Sequence, residues 1–293
     1  MAFSGKAIIV KLAYRHGVDA VTLIMYRMLF ALPMFLVLAW WTSRGRPRLS
    51  SRDALAILGL GVSGYYLASL LDFSGLQYIS ASLERLIIYL IPTLVLLLGW
   101  LLYGRAIRLG QTLGMGISYL GVLLVFGREV RVEGAEVAWG SLLVFLSALS
   151  YALYLLYSGE LVQRLGSLRL VGLATSVACV LCILQFVLLR PWSAAQVSEP
   201  VIWLSLLNAT ACTLVPVVLV MLVMLVMLVM LAIERIGAGA TAQIGMIGPV
   251  ATILMGIWLL DEPVTVWLAA GSVLVVTGIY VFSRMTRAVS PPA

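Results

Sequence analysis

The chain carries one sequence pattern twice, and this internal repeat constrains its fold more than any other feature. Shifted by 157 positions, a proline and three glycines of the first half fall on the same residue types in the second: Pro92 on Pro249, Gly99 on Gly256, Gly114 on Gly271 and Gly121 on Gly278. The first copy of the pattern is centred on residues 74–126. Two copies of one structural plan must therefore build the fold.

Composition places the repeat in a membrane. Of the 293 residues, 63% are hydrophobic and 11% are charged, whereas a soluble domain carries about a quarter charged residues. The apolar runs recur at the roughly 20 residues that a helix needs to span a bilayer, without the alternation of a membrane barrel. We predict an all-α integral membrane protein with ten helices, at about residues 3–15, 20–42, 53–78, 82–103, 108–127, 137–159, 169–189, 201–235, 239–260 and 264–283.

Each copy contains five predicted helices, and an odd number forces the second copy to be inverted in the membrane. With the N-terminus in the cytoplasm, eleven loop arginines lie inside and five outside, as the positive-inside rule requires. The basic loop 104–108 has an acidic counterpart at 261–263. We therefore predict two inverted repeats, 1–127 and 137–285, with both termini cytoplasmic. Many secondary transporters have this plan, with a substrate site near the membrane midplane.

Two irregularities interrupt the repeat. Before the ninth predicted helix the offset falls from 157 to 148, and the difference matches a Met-Leu-Val tract at 220–231. We interpret it as an in-frame expansion that lengthens the eighth helix by about 13.5 Å and about 2.5 turns, with Pro216 upstream as a place to kink. With the offset of 148, Met1 lies over Leu149 in the middle of the sixth helix. The first helix is therefore expected to be too short to cross a bilayer.

Ionisable residues inside the apolar runs are the first candidates for a substrate site, because such side chains are costly in a bilayer. They are Lys11, Arg27, Asp72, Glu84 and Arg85. Arg27 would lie deepest, where it could bind an anionic group or tie helices together. Asp72 and Glu84 could carry a coupling proton. The alternative is an interfacial pair with Arg85 or, for Glu84, a favourable place in the first turn of its helix.

Aromatic and neutral polar residues form a second set of candidates: Tyr89, Tyr151, Tyr154, Asn208 and Gln243. Tyr151 and Tyr154 share a helix face at i, i+3 spacing. Such groups line small-molecule cavities, although each could equally make an interhelical hydrogen bond. Pro92 and Pro249 are expected to kink their helices.

Small residues predict close helix packing. The stretch 58–64 contains a GxGxxG pattern, but it lies inside an apolar run rather than after a strand, so it is not a dinucleotide-binding loop. Close approach of helices explains it better. Gly114 with Gly121, and Gly271 with Gly278, likewise predict that the fifth and tenth helices pack through these faces.

The sequence offers no catalytic constellation, metal site or cofactor motif. His16 is its only histidine, and no serine–histidine pair or phosphate-binding loop stands out. Cys179 and Cys182 have redox spacing but lie in an apolar run without a second pair, so small buried side chains are the better interpretation. The net charge of +7 comes from basic residues between the spans, which argues against nucleic acid. The expected partners are a small-molecule substrate and the lipid bilayer, with room for a homodimer.

Three stretches carry a family resemblance: FSGLQYISASLERLIIYLIPTLVLLLGWLLYGRAI, its echo IERIGAGATAQIGMIGPVATILMGIWLLDEPVT, and MYRMLFALP in the second helix. They resemble the EamA-type transporters of the drug/metabolite transporter superfamily, over about residues 5–285. The resemblance implies a ten-helix carrier of the bacterial inner membrane, usually an exporter of amino acids, other metabolites or drugs. It also implies a cavity lined by helices one, three, four, six, eight and nine. Family members carry an arginine near the start of helix two, which Arg27 matches, and often a lysine in helix one, which Lys11 matches.

The leading hypothesis is therefore a secondary transporter, not an enzyme, that exports a small metabolite, amino acid or drug-like compound by alternating access. The competing hypothesis is a non-transporting membrane scaffold or a decayed transporter, impaired by the short first helix and the expanded eighth helix.

Deleting one nine-residue unit from the tract 220–231 should increase transport activity, because it returns the eighth helix to the length of its counterpart in the first repeat. The measurement is the transport rate of the deleted and full-length chains at equal expression. An unchanged rate would show that the expansion has no effect on activity.

Overall fold

The computed structural model describes residues 5–47, 49–104, 109–214, 255–263 and 265–287, and all the regular structure in these ranges is helical. The helices are α1 (Gly5–Tyr14), α2 (Ala20–Ser43), α3 (Ser51–Gly75), α4 (Ala81–Tyr103), α5 (Leu109–Glu133), α6 (Ala135–Leu165), α7 (Ser167–Leu189), α8 (Glu199–Ala209, continued by a π-helical turn at Thr210–Leu214), α9 (255–260) and α10 (Val266–Arg287). The predicted all-helical class is confirmed for these residues. The Met-Leu-Val tract, Gln243 and Pro249 lie outside them.

Six of the described helices, α2 to α7, are long and apolar enough to cross a membrane. Their outer surfaces carry large hydrophobic side chains whose exposure to water would be unfavourable, such as Trp41, Leu101 and Leu188, each more than half exposed. A helix can present such a surface to lipid because its backbone hydrogen bonds are satisfied within the helix. The chain is thus a multi-pass membrane protein.

The helix boundaries follow from local sequence. Asp19 caps α2 by accepting hydrogen bonds from the amides of Val21 (3.1 Å) and Thr22 (3.4 Å), which satisfies donors at the helix start. Ser50 caps α3 in the same way. At the other end, α4 stops at Gly104, whose φ of +63° is the left-handed conformation that glycine adopts most readily.

Three helices depart from regular α geometry. In α3 residues Gly61–Leu67 form a π-helix, and α8 passes into a second π-helix at Thr210–Leu214. In α4 the α-helix is interrupted at Tyr89 and Leu90 and resumes at Ile91, so Pro92 falls in the first turn of the second half. Proline is well suited to that place because it has no amide proton to satisfy.

Helices of the first predicted repeat pack against helices of the second. The closest pairs are α5 with α10 and α2 with α7. In addition, α3 packs against α6 and α7, while α8 packs against α1 and α2. Each of these contacts joins a helix of the first predicted repeat to one of the second. The two halves therefore interlock rather than form separate bundles.

Glycine contacts hold α5 and α10 together, as the sequence predicts. A Cβ atom added to Gly121 would come within 2.6 Å of the carbonyl oxygen of Gly271, and one added to Gly278 within 2.6 Å of that of Gly114. The two backbones are thus too close for any side chain at these positions, which is the usual role of small residues between membrane helices.

Basic loops gather at one end of the bundle. Arg46 donates a hydrogen bond to the carbonyl oxygen of Leu165 (2.6 Å), and Arg169 donates one to that of Pro47 (3.0 Å). Arg164 pairs with Asp53 at 3.0 Å. The opposite end carries the turn after α1, the turn between α3 and α4, and the acidic loop 261–263. The bundle therefore has a basic end and an acidic end.

Two helices are longer than the sequence analysis predicts. It ends the fifth helix at about 127 and places the sixth at 137–159, whereas α5 runs to Glu133 and α6 from Ala135 to Leu165. Only Gly134, with φ of +85°, separates them. With 31 residues, α6 is about 46 Å long and exceeds the roughly 30 Å hydrocarbon core. Its charged ends therefore extend past the apolar zone where hydropathy marks a boundary.

Replacing Gly121 with alanine should lower the thermal stability of the chain, because the new methyl group must push α10 away at a backbone contact. The expected cost is about 1–3 kcal/mol, as for overpacked cores. Gly116→Ala is the matched control on the same helix, since nothing lies within 4 Å of an added Cβ there. Thermal unfolding of the purified variants in detergent measures the difference; equal midpoints would contradict the packing described.

Candidate functional site

A vestibule opens at the acidic end of the bundle. Its volume is about 900 Å³. Both halves of the chain line it, with Lys11, Tyr14, Arg15, Gly17, Val18, Asp19, Gln77, Tyr78, Ile79, Ser80, Glu136, Leu260, Glu262 and Pro263. Lys11 is thus the one charged candidate of the sequence analysis that lines this space. The mixture of basic, acidic and aromatic groups suits a polar small molecule.

The carboxylate of Glu262 closes one side of the vestibule. It accepts hydrogen bonds from the amides of Ala81 (2.6 Å) and Ser82 (3.2 Å) and from the hydroxyl of Ser82 (2.5 Å). These amides begin α4, where a helix N-terminus favours negative charge. A residue of the second half thus caps a helix of the first.

Two further contacts hold the same region. Ser80 donates a hydrogen bond from its hydroxyl to Glu129 (2.9 Å), and Arg15 donates one to the carbonyl oxygen of Leu260 (2.7 Å). Ser80 also caps α4 by accepting from the amide of Leu83 (3.0 Å). We call the contacts of Glu262 with Ala81 and Ser82 the latch.

Buried charges lie about one helical turn beneath the vestibule. The Lys6 ammonium is 2.5 Å from Asp72 and 3.4 Å from Glu84, and Arg85 Nε is 3.8 Å from Glu84. All except Lys6 are almost completely inaccessible, with Glu84 at 0% exposure. We call these four residues the ionic cluster. It ties α1 to α3 and α4, and its cations stabilise two carboxylates that could not stay charged alone.

Arg27 occupies a separate position on α2. Its Nε donates a hydrogen bond to the hydroxyl of Thr213 (3.2 Å), and its guanidinium lies over the ring of Phe73, 5.2 Å from the centroid. The side chain is 8% exposed, and Nη1 has no hydrogen-bond partner. Thr213 in turn donates to the carbonyl oxygen of Asn208 (3.0 Å). Asn208 is 1% exposed, and its Oδ1 also lacks a partner.

Tyrosines gather where α3 meets α6. The hydroxyls of Tyr65 and Tyr154 are 3.1 Å apart, and their rings meet edge to face at a centroid distance of 5.2 Å. Tyr151 stacks against Tyr154 at 5.4 Å. The tyrosines fit here because residue 64 is a glycine, whose backbone lies directly against the Tyr154 ring. Gly61 and Gly64 of the GxGxxG stretch therefore serve packing, as the sequence predicts, whereas nothing lies within 4 Å of a Cβ added to Gly59.

The π-helical turns lie at matching places of the two halves. A shift of 148 positions carries 61–67 onto 209–215, and the second π-helix is Thr210–Leu214. The same shift carries Arg27 onto Thr175 and Tyr65 onto Thr213. Arg27 contacts Thr213, and Thr175 lies beside Tyr65. The contact of Arg27 with Thr213 therefore has its counterpart in the contact of Thr175 with Tyr65.

The structure distributes the predicted site residues over several places. Asp72, Glu84 and Arg85 come together in the ionic cluster. Arg27 and Asn208 share the neighbourhood of Thr213, while Tyr151 and Tyr154 belong to the tyrosine group. Tyr89 lies, half-buried, at the interruption of α4. Glu84 lies in the first turn of α4 and 3.8 Å from Arg85 Nε, as the alternative interpretation of this carboxylate predicts.

Sequence reasoning missed Lys6, Tyr65, Phe73, Thr213 and Glu262. Lys6 carried a usable signal, because a lysine inside an apolar run needs a partner. Glu262 was noticed only as part of an acidic loop, since nothing in the sequence shows that this loop reaches the start of α4. Phe73 and Thr213 are ordinary residues for a membrane helix, and only the folded chain brings them to Arg27.

The arrangement is suited to binding a polar solute. The vestibule admits a polar molecule, and the ionic cluster and Arg27 provide charged groups inside the bundle. Carboxylates in such positions can exchange protons when their partners move.

The chain is similar to known proteins of one transporter family. The model of the EamA-like transporter family matches residues 1–127 and again 138–284. The uncharacterized transporter YcbK of Bacillus subtilis is 28% identical over 274 residues, which cover 89% of this chain and 83% of YcbK. A WAT1-related protein of Arabidopsis thaliana is 24% identical over 96% of this chain and 85% of its own length.

The fold also has a solved counterpart. One crystal structure, 18% identical, superposes with a TM-score of 0.63 over 98% of this chain and 95% of the other. At this identity the likeness concerns the fold alone. The family match covers nearly the whole chain in two consecutive parts, and this is what assigns it. The chain belongs to the EamA-like transporter family.

Proposed function

We propose that this chain is a secondary transporter that exports a small metabolite, amino acid or drug-like compound by alternating access. The family and the transporter names of its relatives support a transport function. The observation that carries the proposal is the ionic cluster, buried one turn beneath the vestibule. Ionisable side chains inside a membrane bundle are retained at a cost in stability, which indicates a role in transport.

We infer that two inverted repeats form the structural basis of alternating access. Reciprocal contacts support them, because a pseudo-twofold axis turns each contact between residues of the two halves into a second contact between their equivalents. Gly121 approaches Gly271, and their equivalents Gly278 and Gly114 approach each other. The neighbours Arg27 and Thr213 have the equivalents Thr175 and Tyr65, which are neighbours too. The boundaries 1–127 and 137–285 remain our proposal for the two repeats.

The latch supports alternating access. It joins the loop after α9, in the second proposed repeat, to the start of α4 in the first. Opening this side requires Glu262 to leave three donors, and those donors can be rehydrated at the wet end of the bundle. Closure is therefore a reversible exchange of hydrogen bonds, as a gate requires.

Asp72 and Glu84 are the residues that we propose for proton coupling. Each would gain a proton when Lys6 and Arg85 move away during the cycle and release it when they return, since a buried carboxylate without a cation favours its neutral form. Lys11, Tyr89, Tyr151, Tyr154, Asn208 and Gln243 remain proposed cavity residues. Of these, Gln243 lies outside the described residues, as does the proposed kink at Pro249.

The basic end of the bundle determines the orientation that we propose for the chain in the membrane. We propose that this end, with Arg46, Arg164 and Arg169, faces the cytoplasm of a bacterial inner membrane. The vestibule then opens to the outside, and both termini are cytoplasmic.

A homodimer is compatible with the large apolar surface. The alternative function, a scaffold or decayed transporter, draws its support only from the two irregularities of the repeat.

Cells that express this chain should export at least one compound faster than cells with an empty vector. A panel of radiolabelled amino acids, hydroxy acids and toxic analogues is loaded into the cells, and efflux is followed with and without an uncoupler. Loss of efflux on uncoupling is expected if Asp72 and Glu84 exchange protons. If no compound in the panel moves although the chain reaches the membrane, the scaffold or decayed alternative replaces the proposal.

Glu262→Gln should loosen the start of α4, because a neutral amide accepts weaker hydrogen bonds and brings donors toward the Ala81 and Ser82 amides. A charge-assisted bond contributes about 1.5–3 kcal/mol, so the exchange of these two amides should become about 10- to 100-fold faster. Hydrogen–deuterium exchange with mass spectrometry of the peptide 80–88 measures it. Glu136→Gln, an exposed residue on the vestibule, is the control. Equal exchange in both variants would show that the latch does not hold α4.

A further inference from the structure

Arg27 is a buried cation that forms no ion pair with the residues that the structure describes. It lies seven residues into α2, about 10 Å from the helix start, and only 8% of its surface is exposed. Among the described residues, its Nε donates a hydrogen bond to the neutral hydroxyl of Thr213, and Nη1 has no partner. A buried guanidinium normally pairs with a carboxylate or binds an anion, because its desolvation is costly.

Asp72 acts on Arg27 electrostatically but forms its ion pair with another residue. Asp72 adjoins Phe73, on which the Arg27 guanidinium rests, but its Oδ2 is 2.5 Å from Lys6. Glu84 pairs with Lys6 and Arg85. No ion pair joins Arg27 to any carboxylate in the described part of the chain.

Counted over the described residues, the charge balance leaves room for one negative charge. Together the ionic cluster and Arg27 hold three cations, Lys6, Arg27 and Arg85, against two carboxylates, Asp72 and Glu84. A monoanion beside Arg27 would bring this balance to zero. A phosphate monoester, with about −1.5 to −2 charges at pH 7, would overcompensate it. The balance therefore favours a carboxylate.

Uncharged polar groups complete the neighbourhood. Thr213 bonds Arg27 with its hydroxyl and at the same time holds the carbonyl of Asn208. The Oδ1 of Asn208 is buried and unpartnered, so it can accept a hydrogen bond from a ligand. The π-helical turn that carries Thr213 is a local irregularity of a kind often found at functional sites.

We propose that Arg27 binds the carboxylate of the transported compound, with Asn208 as a neighbouring acceptor for a hydroxyl or ammonium group of the same molecule. This inference rests on the proposed transport function and narrows its substrate class to monocarboxylates. Arg27 presents Nη1 to the carboxylate, while Thr213 and Phe73 hold the guanidinium in place. The competing role, a structural tie between α2, α3 and α8, uses the same two contacts but leaves Nη1 without a function.

The test compares each carboxylate with its own amide. The purified chain is titrated, in a buffer free of carboxylates and phosphate, with butyrate and butyramide, lactate and lactamide, and benzoate and benzamide. Ligand binding is read from the shift of the thermal midpoint, which rises with ligand concentration over Kd. The wild-type chain should bind at least one carboxylate about tenfold or more tightly than its amide, as expected for a charge-assisted bond.

Variants separate binding from structural support. Arg27→Gln should abolish the preference for carboxylate, and Arg27→Lys should keep part of it because the charge remains. Arg169→Gln is the control, since Arg169 is equally buried but bonds Ser43 and Pro47 at the basic end. It should lower stability without changing the preference. Comparing shifts relative to each variant's own midpoint removes the effect of stability.

Three results would overturn the inference: no carboxylate preference in the wild-type chain, an unchanged preference in Arg27→Gln, or tighter binding of glycerol phosphate than of any carboxylate. Failure of the transport proposal gives a different pattern. Carboxylate binding that depends on Arg27, without efflux of any compound, would support the site and refute the transporter. Efflux of neutral compounds only, unchanged in Arg27→Gln, would support the transporter and refute the site.

Discussion

The pairing of Lys6 with Asp72 and Glu84 is the interaction on which the inner end of the vestibule depends. Two carboxylates cannot remain charged in a bundle surrounded by lipid unless cations stay within a few ångströms. Lys6 comes from α1, and the carboxylates come from α3 and α4, so the ionic cluster fixes three helices relative to one another. The latch begins one turn above it on α4, and the helices that the cluster fixes also form the vestibule wall.

The two halves share a backbone plan but differ in chemistry. Where α2 meets α8, the contact is Arg27 with Thr213, and the equivalent contact of α7 with α3 is Thr175 with Tyr65. Lys6 likewise has Tyr154 as its equivalent under the same shift. The first half therefore carries charges, on Arg27 and Lys6, where the second carries neutral hydroxyl groups, on Thr175 and Tyr154. A polar, asymmetric solute between them would meet cations on one side and hydroxyl groups on the other.

Much of the fold was predictable because lipid imposes simple rules on sequence. Helical class, membrane spans and the packing of α5 on α10 follow from apolar length and from glycine spacing. The ends of α5 and α6 were placed too early, because hydropathy marks the edge of the hydrocarbon layer rather than the last helical turn. Buried charges such as Arg27 and Asp72 were recognisable as candidates, but their partners were not. Lys6 and Glu262 reach their partners across 66 and about 180 positions of sequence, and no local pattern records such a meeting.

The glycine contact between α5 and α10 has a mechanical consequence. Where side chains separate two helices, they can change rotamer as the helices slide. Between Gly121 and Gly271 the two backbones touch directly, so there is no side chain to absorb a displacement. The geometry of α5 against α10 is therefore fixed at this contact, and any rocking of the bundle has to occur between the helices around it.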